Sequence, residues 1–560
     1  MPDPDPSRGP NLNKLARGGA LNLVGAAVAG VQGLALVFLV AHLYPQRVAG
    51  VFFAATSLFI ILQAVSWLGT DAGLLRWLPR HLALGDRVAA RRTVPVALVP
   101  VIATAAVAGL VLAAAAPWAA ERIGAGGADE AAAMVRVLAL FLPLAAAQDA
   151  LLAATRGHGS MRPTVLVDKI LRQTLQVAGV VAAAAVTDGA AWLALAWAGP
   201  YLPCLLIAAL WYLRISRASS SADAPAATGT APGRRGWRSL AGEFWRFTAP
   251  RAFAQVCQTA FQRTDIVLVA ALSSPREAAV YTAATRFVVI SQLATQAVQN
   301  VMQPAVSRLL ALTDRAGAQR VFAVCASWNL VLAWPVHLSV IVGAPVYLGA
   351  FGSGYTGSGE AATMIVAAAM LVATATGARD VMLLMAGRSG LSLVNQSTAL
   401  GVNLVLNVLL IPPLGIAGAA LARASGLLAR TLLALVQVRR ILGMSPASAG
   451  LFWAGGAALL GFGALPLAVR AAAGSSPFSL GCALVPGAVV YVALLWIGRE
   501  RLSLTAFASL LPGRRGRAAH PLDAAAAPGT GTTSDPGPGS PTPDTPTPDT
   551  RSARSAHAGN

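Results

Sequence analysis

The sequence predicts an all-α transmembrane protein of about fourteen helices, with two pseudo-symmetric six-helix lobes around a central cavity and two further helices at the C-terminal end. Three observations predict it. Of 560 residues, 56% are hydrophobic and only 11% charged, with a mean hydropathy of +0.64, whereas a soluble domain carries about 25% charged residues. Apolar stretches of bilayer-spanning length, about 20 residues, recur along most of the chain. Val51 to Gln63, VFFAATSLFIILQ, returns 229 positions later as Val280 to Gln292, VYTAATRFVVISQ.

Residues 1–16 read as a polar, proline-bearing cytoplasmic tail, and the full-length apolar span behind them argues against a cleaved signal peptide. Helices are expected near 18–42, 48–75, 94–118, 131–155, 164–187 and 190–213, forming a first lobe over 17–213. A linker follows at 214–243, whose serine, glycine, proline and arginine content cannot build a core. The second lobe, 244–441, holds spans near 245–272, 278–304, 319–350, 361–386, 390–411 and 416–438. Two more spans, near 450–470 and 478–498, fall in 442–500, and 501–560 reads as a disordered cytoplasmic tail rich in proline, glycine, alanine, threonine and serine. The repeat extends past its first segment: Leu82 to Arg87 (LALGDR) matches Leu310 to Arg315 (LALTDR), and the glycine turn Gly157 to Gly159 returns at Gly387 to Gly390. Internal repeats in membrane chains accompany transport.

A net charge of +20 in a soluble chain would suggest nucleic acid. Here the arginines concentrate in alternate turns, among them Arg80, Arg87, Arg91, Arg92, Arg156, Arg234, Arg235, Arg315, Arg439 and Arg440, while the opposite set offers chiefly Arg47, Arg122, Arg276 and Arg470. That asymmetry accounts for the charge without nucleic acid and places both termini and the linker in the cytoplasm. The four cysteines lie in apolar stretches without metal-ligand spacing, so they read as small buried hydrophobes, and no metal or cofactor is expected. There is no P-loop, no G-x-S-x-G, no H-E-x-x-H and no large loop with paired acids, which leaves catalytic residues unassigned and favours a transporter over an enzyme.

A charged side chain at mid-bilayer costs about 2.5–3.5 kcal/mol even on the lenient scale, so each one demands a wet cavity or a partner. Span 7 carries Gln255, Gln258, Gln262, Arg263 and Asp265, and span 8 carries Arg286, Gln292, Gln296 and Gln299. The glutamines of each span share one helical face at three- and four-residue spacing. Such stripes either glue helices together or line a water-filled cavity, and the arginines in the same spans favour the cavity. Arg263 and Arg286 would offer guanidinium forks to phosphate oxygens or sugar hydroxyls. Asp265 reads either as a proton or cation site or as the neutraliser of Arg263 through another helix. Asp168 and Arg172, four apart, suit an internal ion pair that leaves Lys169 unpaired. Arg423 and Arg430 share a face two turns apart, suited to an anionic ligand or a lipid headgroup. Arg379 and Asp380 cannot share a face, Asp149 completes the set, and His337 beside Pro335 reads as a kink partner.

Three segments carry a family resemblance. AHLYPQRVAGVFFAATSLFIILQAVSWLGTDAGLLRWLPRHLALGD resembles the first two spans of polysaccharide flippases, RTDIVLVAAL their seventh helix, and NLVLNVLLIPPLGIAGAALA (Asn403 to Ala422) a recognisable signature of their second lobe. The chain, over roughly 15–500, thus resembles the Wzx-like lipid-linked oligosaccharide flippases of the multidrug/oligosaccharidyl-lipid/polysaccharide exporter superfamily. The resemblance implies two lobes facing across a cavity lined largely by spans 1, 2, 7 and 8 and opening alternately to either side. It implies translocation of a polyprenyl-pyrophosphate-linked oligosaccharide across the bacterial cytoplasmic membrane. Arg263, Arg286 and Arg423 would meet the pyrophosphate, Gln255, Gln258, Gln262, Gln292 and Gln296 the sugars, and Asp265 a coupling ion. Partners would be the lipid-linked glycan, membrane lipids and polysaccharide-assembly proteins. In the first lobe span 1 offers only Asn22, Gln32 and His42, so the cationic character is expected from the second lobe. The rivals are a peptidoglycan-precursor flippase, which shares the two extra helices, a drug or cation antiporter, which needs an acidic cavity, and a membrane glycan polymerase or ligase, which needs a catalytic outer loop.

Overall fold

The computed structural model describes residues 12–124, 127–187, 189–221, 237–474 and 476–503, and every regular element among them is helical. The first half comprises α1 (Leu12–Leu43), α2 (Gln46–Ser66), α3 (Thr70–Ala83), α4 (Arg87–Ala114), α5 (Ala116–Ile123), α6 (Ala128–Gly157), a π-helical segment (Thr164–Arg172) running into α7 (Gln173–Val186), α8 (Ala190–Ala198) and α9 (Tyr201–Ser221). The second half comprises α10 (Trp237–Leu272), α11 (Pro275–Ala284), α12 (Val288–Ala311), α13 (Arg315–Val342), α14 (Ala344–Gly349), α15 (Ser358–Ala375), α16 (Arg379–Met385) and α17 (Ser389–Leu442), followed by α18 (Ala449–Ala458), α19 (Leu465–Ala473) and α20 (Pro477–Ile497).

The all-α expectation is met, and all fourteen expected segments fall on helix, several in two pieces. Ten described segments are long and apolar enough to cross a membrane. The helices α10 and α12, bearers of the glutamine and arginine stripes, are not among those ten. The long α17 covers two expected spans, broken at Gly415 (φ 55°, ψ −136°), two residues after the Pro412–Pro413 pair. The expected linker is shorter than 214–243, because α9 continues to Ser221 and α10 begins at Trp237. Pro225, Pro232, Gly233 and Gly236 all fall between Ser221 and Trp237, and polar residues extend both helices past their apolar stretches. Of the expected tails at 1–16 and 501–560, residues 1–11 and 504–560 lie outside the described residues, as does the rest of the linker, and α1 already includes residues 12–16.

The repeat is present in backbone geometry. At the LALGDR turn, Gly85 takes a left-handed conformation (φ 71°), the Asp86 N–H donates to His81 O at 3.0 Å, and the Asp86 carboxylate caps the next helix by accepting from Ala89 N at 2.8 Å. At LALTDR the same three features recur on Thr313 (φ 57°), Asp314 N to Leu309 O at 2.9 Å, and Gly317 N to Asp314 Oδ1 at 2.8 Å. The glycine turns match likewise, with Gly159 (φ 82°) and Gly387 (φ 76°) each followed by a six-residue closing bond, Ser160 N to Thr155 O and Arg388 N to Leu383 O. A threonine held at positive φ, where a branched side chain is strained, shows that the turn geometry is kept where glycine is absent.

The two halves share one core. The largest apolar cluster joins Phe52, Phe59 and Trp197 to Tyr281, Phe287 and Tyr355. In a bilayer, close packing of small residues replaces the hydrophobic drive, and the contacts between halves follow that rule. A Cβ on Gly50 of α2 would stand 1.6 Å from the Pro275 carbonyl oxygen at the start of α11. Near the other end of the α2–α3 pair, Gly69 and Gly73 lie against Thr248 and Phe244 of α10. The α11–α12 pair is interrupted at Thr285–Phe287, and the carbonyls loosened there are taken up by side chains: Tyr347 Oη donates to Ala283 O at 2.8 Å and Thr363 Oγ1 to Ala284 O at 3.3 Å. A broken helix at membrane depth requires such substitutes.

Candidate substrate chamber

Between the halves lies a chamber of about 400 Å³, within the range for small-molecule sites, about 300–1,000 Å³. One wall comes from the second half: α10 presents Gln255, Thr259, Arg263 and Ile266, spaced four, four and three residues apart on one face, and the broken segment presents Arg286. The opposite wall comes from α1, α2, α6, the π-helical segment, α7, α8 and α9, with Gln32, Ser57, Gln63, Asp149, Asp168, Arg172, Gln176, Trp197 and Tyr201.

Among the described residues Arg263 has no hydrogen-bond or ion-pair partner as it lines the chamber, a state costly for a guanidinium unless water or a ligand meets it. Arg286 sits where the helix is interrupted. Its Nη2 donates to Gly33 O of α1 at 2.9 Å, while its buried Nε has no partner. A Cβ on Gly33 would stand 2.9 Å from that Nη2, so glycine is what lets the guanidinium reach the α1 backbone. On the opposite wall Arg172 is already committed, with Nη2 2.8 Å from Asp168 Oδ1, Nη1 donating to Gln176 Oε1 at 3.2 Å, and Cζ 5.0 Å from the Tyr201 ring centre. Asp149 accepts from Gln63 Nε2 at 2.6 Å. Widened π turns are frequent at functional sites, and this one carries the Asp168–Arg172 pair into the chamber wall.

Several expected site residues lie elsewhere. Gln258, Gln292 and Gln296 are exposed and, with Gln262, do not line this chamber. Arg423 does not line it either: its Nη1 pairs with Asp265 Oδ2 at 3.0 Å. Asp265 is fully buried and also accepts from Tyr281 Oη at 3.0 Å and Asn407 Nδ2 at 2.9 Å. The guanidinium of Arg423 thus occupies the cation position that a coupling ion at Asp265 would need, and in this arrangement Arg423 serves an ion pair inside the second half. Arg430 donates to Gln396 Oε1 at 2.9 Å. Asp168 and Arg172 pair as their spacing implies, and Lys169 donates to Asn22 Oδ1 at 2.8 Å. Arg379 is buried on Thr376 and Thr431, without Asp380. The buried ring of His337 has both nitrogens unpartnered and stands edge-on to Phe287.

A family model for polysaccharide biosynthesis proteins matches residues 89–358, and no curated protein matches the chain. Among solved structures the chain is similar to the lipid II flippase MurJ in an inward closed conformation, with a TM-score of 0.64 and 12% identity over 86% of this chain and 99% of that one. It is also similar to a multidrug resistance MATE family transporter of the MOP superfamily in an inward-facing conformation (TM-score 0.57, 16% identity, 74% of this chain and 94% of that one). The chain thus shares the fold of these two transporters. The resemblance to Wzx-like polysaccharide flippases is borne out by the polysaccharide biosynthesis model over 89–358 and by the shared fold.

The sequence had pointed to the second half as the source of chamber charge. Three arginines and two aspartates face the space, and Arg172, Asp149 and Asp168 belong to the first half. Their signal was present but diluted: Asp149 is the lone charge within a long apolar run, and Asp168–Arg172 satisfies the rule for a structural pair, which says nothing about where the pair faces.

Proposed function

We propose that the chain flips a polyprenyl-pyrophosphate-linked oligosaccharide across the cytoplasmic membrane by alternating access, acting as a transporter and not as an enzyme. The observation that carries this reading is Arg263, a guanidinium without a partner among the described residues, facing a chamber shared by both halves beside the half-satisfied Arg286. Diphosphate oxygens suit planar, multi-donor guanidinium groups. Gln255 and Gln63 then meet sugar hydroxyls, Trp197 and Tyr201 offer ring faces to a pyranose, and the polyprenyl tail stays in the bilayer. Because the chamber is built from both halves, a ligand that bridges them favours one arrangement over another. Three arginines against two aspartates, one of them already paired, support an anionic headgroup over a drug cation.

In this reading the chain crosses the membrane fourteen times, as lobes 17–213 and 244–441 plus two helices, with termini and linker cytoplasmic, which the arginine asymmetry supports. A peptidoglycan precursor is the second reading. It presents the same lipid diphosphate to Arg263, and the likeness to MurJ favours keeping it.

The test is translocation of fluorescent polyprenyl-diphosphate oligosaccharide in proteoliposomes, run beside a lipid-linked muropeptide. Arg263→Gln is expected to lower the rate at least about tenfold, the worth of roughly 1.4 kcal/mol of lost charge-assisted bonding. An unchanged rate in the variant overturns the site, and no translocation of either lipid by the wild type overturns the function.

A further inference from the structure

Outside the chamber, the halves meet at a second place where cations gather. Gly69 (φ 69°) and Gly73 of α3 lie against α10 so closely that a Cβ on either would stand 2.6 Å from Thr248 O or 2.5 Å from Thr248 Cγ2. This approach brings Arg76 of α3 and Arg251 of α10 to one aromatic ring: their guanidinium carbons are 4.2 Å and 4.4 Å from the centre of Phe247. Arg80 stands one turn along α3, its Cζ 5.1 Å from the Trp77 ring centre. Arg76, Arg80 and Arg251 are exposed, and no carboxylate pairs with them among the described residues.

Two guanidinium groups sharing one ring stand within about 9 Å of each other, about one screening length in physiological salt, so their repulsion is felt. The ring quadrupole attracts each guanidinium and offsets part of that repulsion. An anion with several oxygens that reaches both forks offsets the repulsion and adds charge-assisted hydrogen bonds. The two arginines come from opposite halves, so the site exists only while α3 and α10 are together.

We propose that Arg76, Arg251 and Phe247 form a phosphate- or diphosphate-binding site that bridges the two halves outside the chamber, and that its occupation stabilises the arrangement in which α3 contacts α10. The anion belongs either to a soluble or substrate diphosphate or to an anionic lipid headgroup. The inference stands whether or not Arg263 and Arg286 bind substrate, because it uses neither.

The experiment is calorimetric titration of inorganic pyrophosphate into the full chain carrying Arg263→Gln and Arg286→Gln, in nanodiscs of phosphatidylcholine. Saturable binding is expected to remain in that background and to weaken at least tenfold on adding Arg76→Gln or Arg251→Gln, with the melting temperature unchanged. Nanodiscs containing phosphatidylglycerol separate the sources: a several-fold weaker pyrophosphate affinity, abolished as an effect by Arg76→Gln, identifies the lipid headgroup, and an unchanged affinity identifies the diphosphate. No binding in the background chain, or binding indifferent to both Arg76→Gln and Arg251→Gln, overturns the proposal.

Discussion

Replacing Gly50 by alanine tests whether the α2–α11 contact holds the halves in the observed arrangement. The added Cβ would lie 1.6 Å from Pro275 O and 2.4 Å from its carbonyl carbon, both backbone atoms that no rotamer change can move. To reach even 3.0 Å, the shortest separation that real Cβ atoms tolerate, α2 and α11 must part by about 1.4 Å. Overpacking of this kind costs about 1–3 kcal/mol, and because the clash exists only while the two helices touch, the cost falls on this arrangement alone. The population ratio between arrangements should shift roughly 5- to 150-fold away from it. Pulsed electron resonance between labels at Leu43→Cys and Ser353→Cys, in a Cys482→Ser background, reads the separation near the contact of Gln46 with Gly354, where Nε2 donates to the carbonyl at 2.9 Å. The expected result is a new, longer distance in Gly50→Ala. Gly456→Ala, where an added Cβ meets nothing within 4 Å, should leave the distribution alone. An identical distribution in Gly50→Ala refutes the reasoning, since it would mean that the contact yields locally and does not couple the halves.

Arg423→Ala should lower stability in detergent by about 3–5 kcal/mol, because it leaves the fully buried Asp265 charged and unpaired; the double replacement Asp265→Asn with Arg423→Gln should cost less than Arg423→Ala alone, as read by thermal unfolding. Gly33→Ala should leave the melting temperature nearly unchanged yet slow translocation several-fold, because the only close atoms belong to the flexible Arg286 guanidinium, which loses its bond to Gly33 O. Gln63→Leu should cost about 1–3 kcal/mol of stability by removing the side-chain donor to Asp149, with the same melting assay as the check.

Much of the fold was legible because it rests on local signals. The LALGDR and LALTDR turns carry an aspartate that caps the following helix, a cue visible in sequence, and the proline pair before Gly415 announces the break in α17. The chamber was legible only in part, for reasons of helical phase. On α10 the polar stripe Gln255, Gln258 and Gln262 and the lining Gln255, Thr259, Arg263 and Ile266 share a first residue and then diverge. Periodicity alone marks a polar sector but does not say which edge of it faces the space. The neighbouring edge turns toward α17, where Asp265 meets Asn407 and Arg423, and where Arg423 also approaches Gln262 O at 3.5 Å. No rule of spacing on one helix reveals a partner 158 residues away.

The repeat explains why the glutamine stripe of α12 fell outside the chamber. Ser57 and Arg286 are equivalent positions and both line the space, one from each half. Gln63 and Gln292 are equivalent too, yet only Gln63 lines it, and Gln292 is exposed. The helices differ in continuity: α2 runs unbroken through Ser57 to Ser66, whereas its counterpart is interrupted at Thr285–Phe287. An interruption changes the phase of everything after it, so the six positions from Arg286 to Gln292 no longer repeat the turn that carries Ser57 to Gln63. The carbonyls loosened by the break are met by Tyr347 and Thr363, residues of α14 and α15 with no part in the chamber. The second half therefore sustains an irregular segment with outside hydrogen bonds, and what that segment places at the chamber is a guanidinium where the first half has a hydroxyl. The asymmetry of charge between the halves is thus tied to an asymmetry of backbone. Restoring a straight helix at Thr285–Phe287 would carry α12 back into the register of α2 and return Gln292 to the wall.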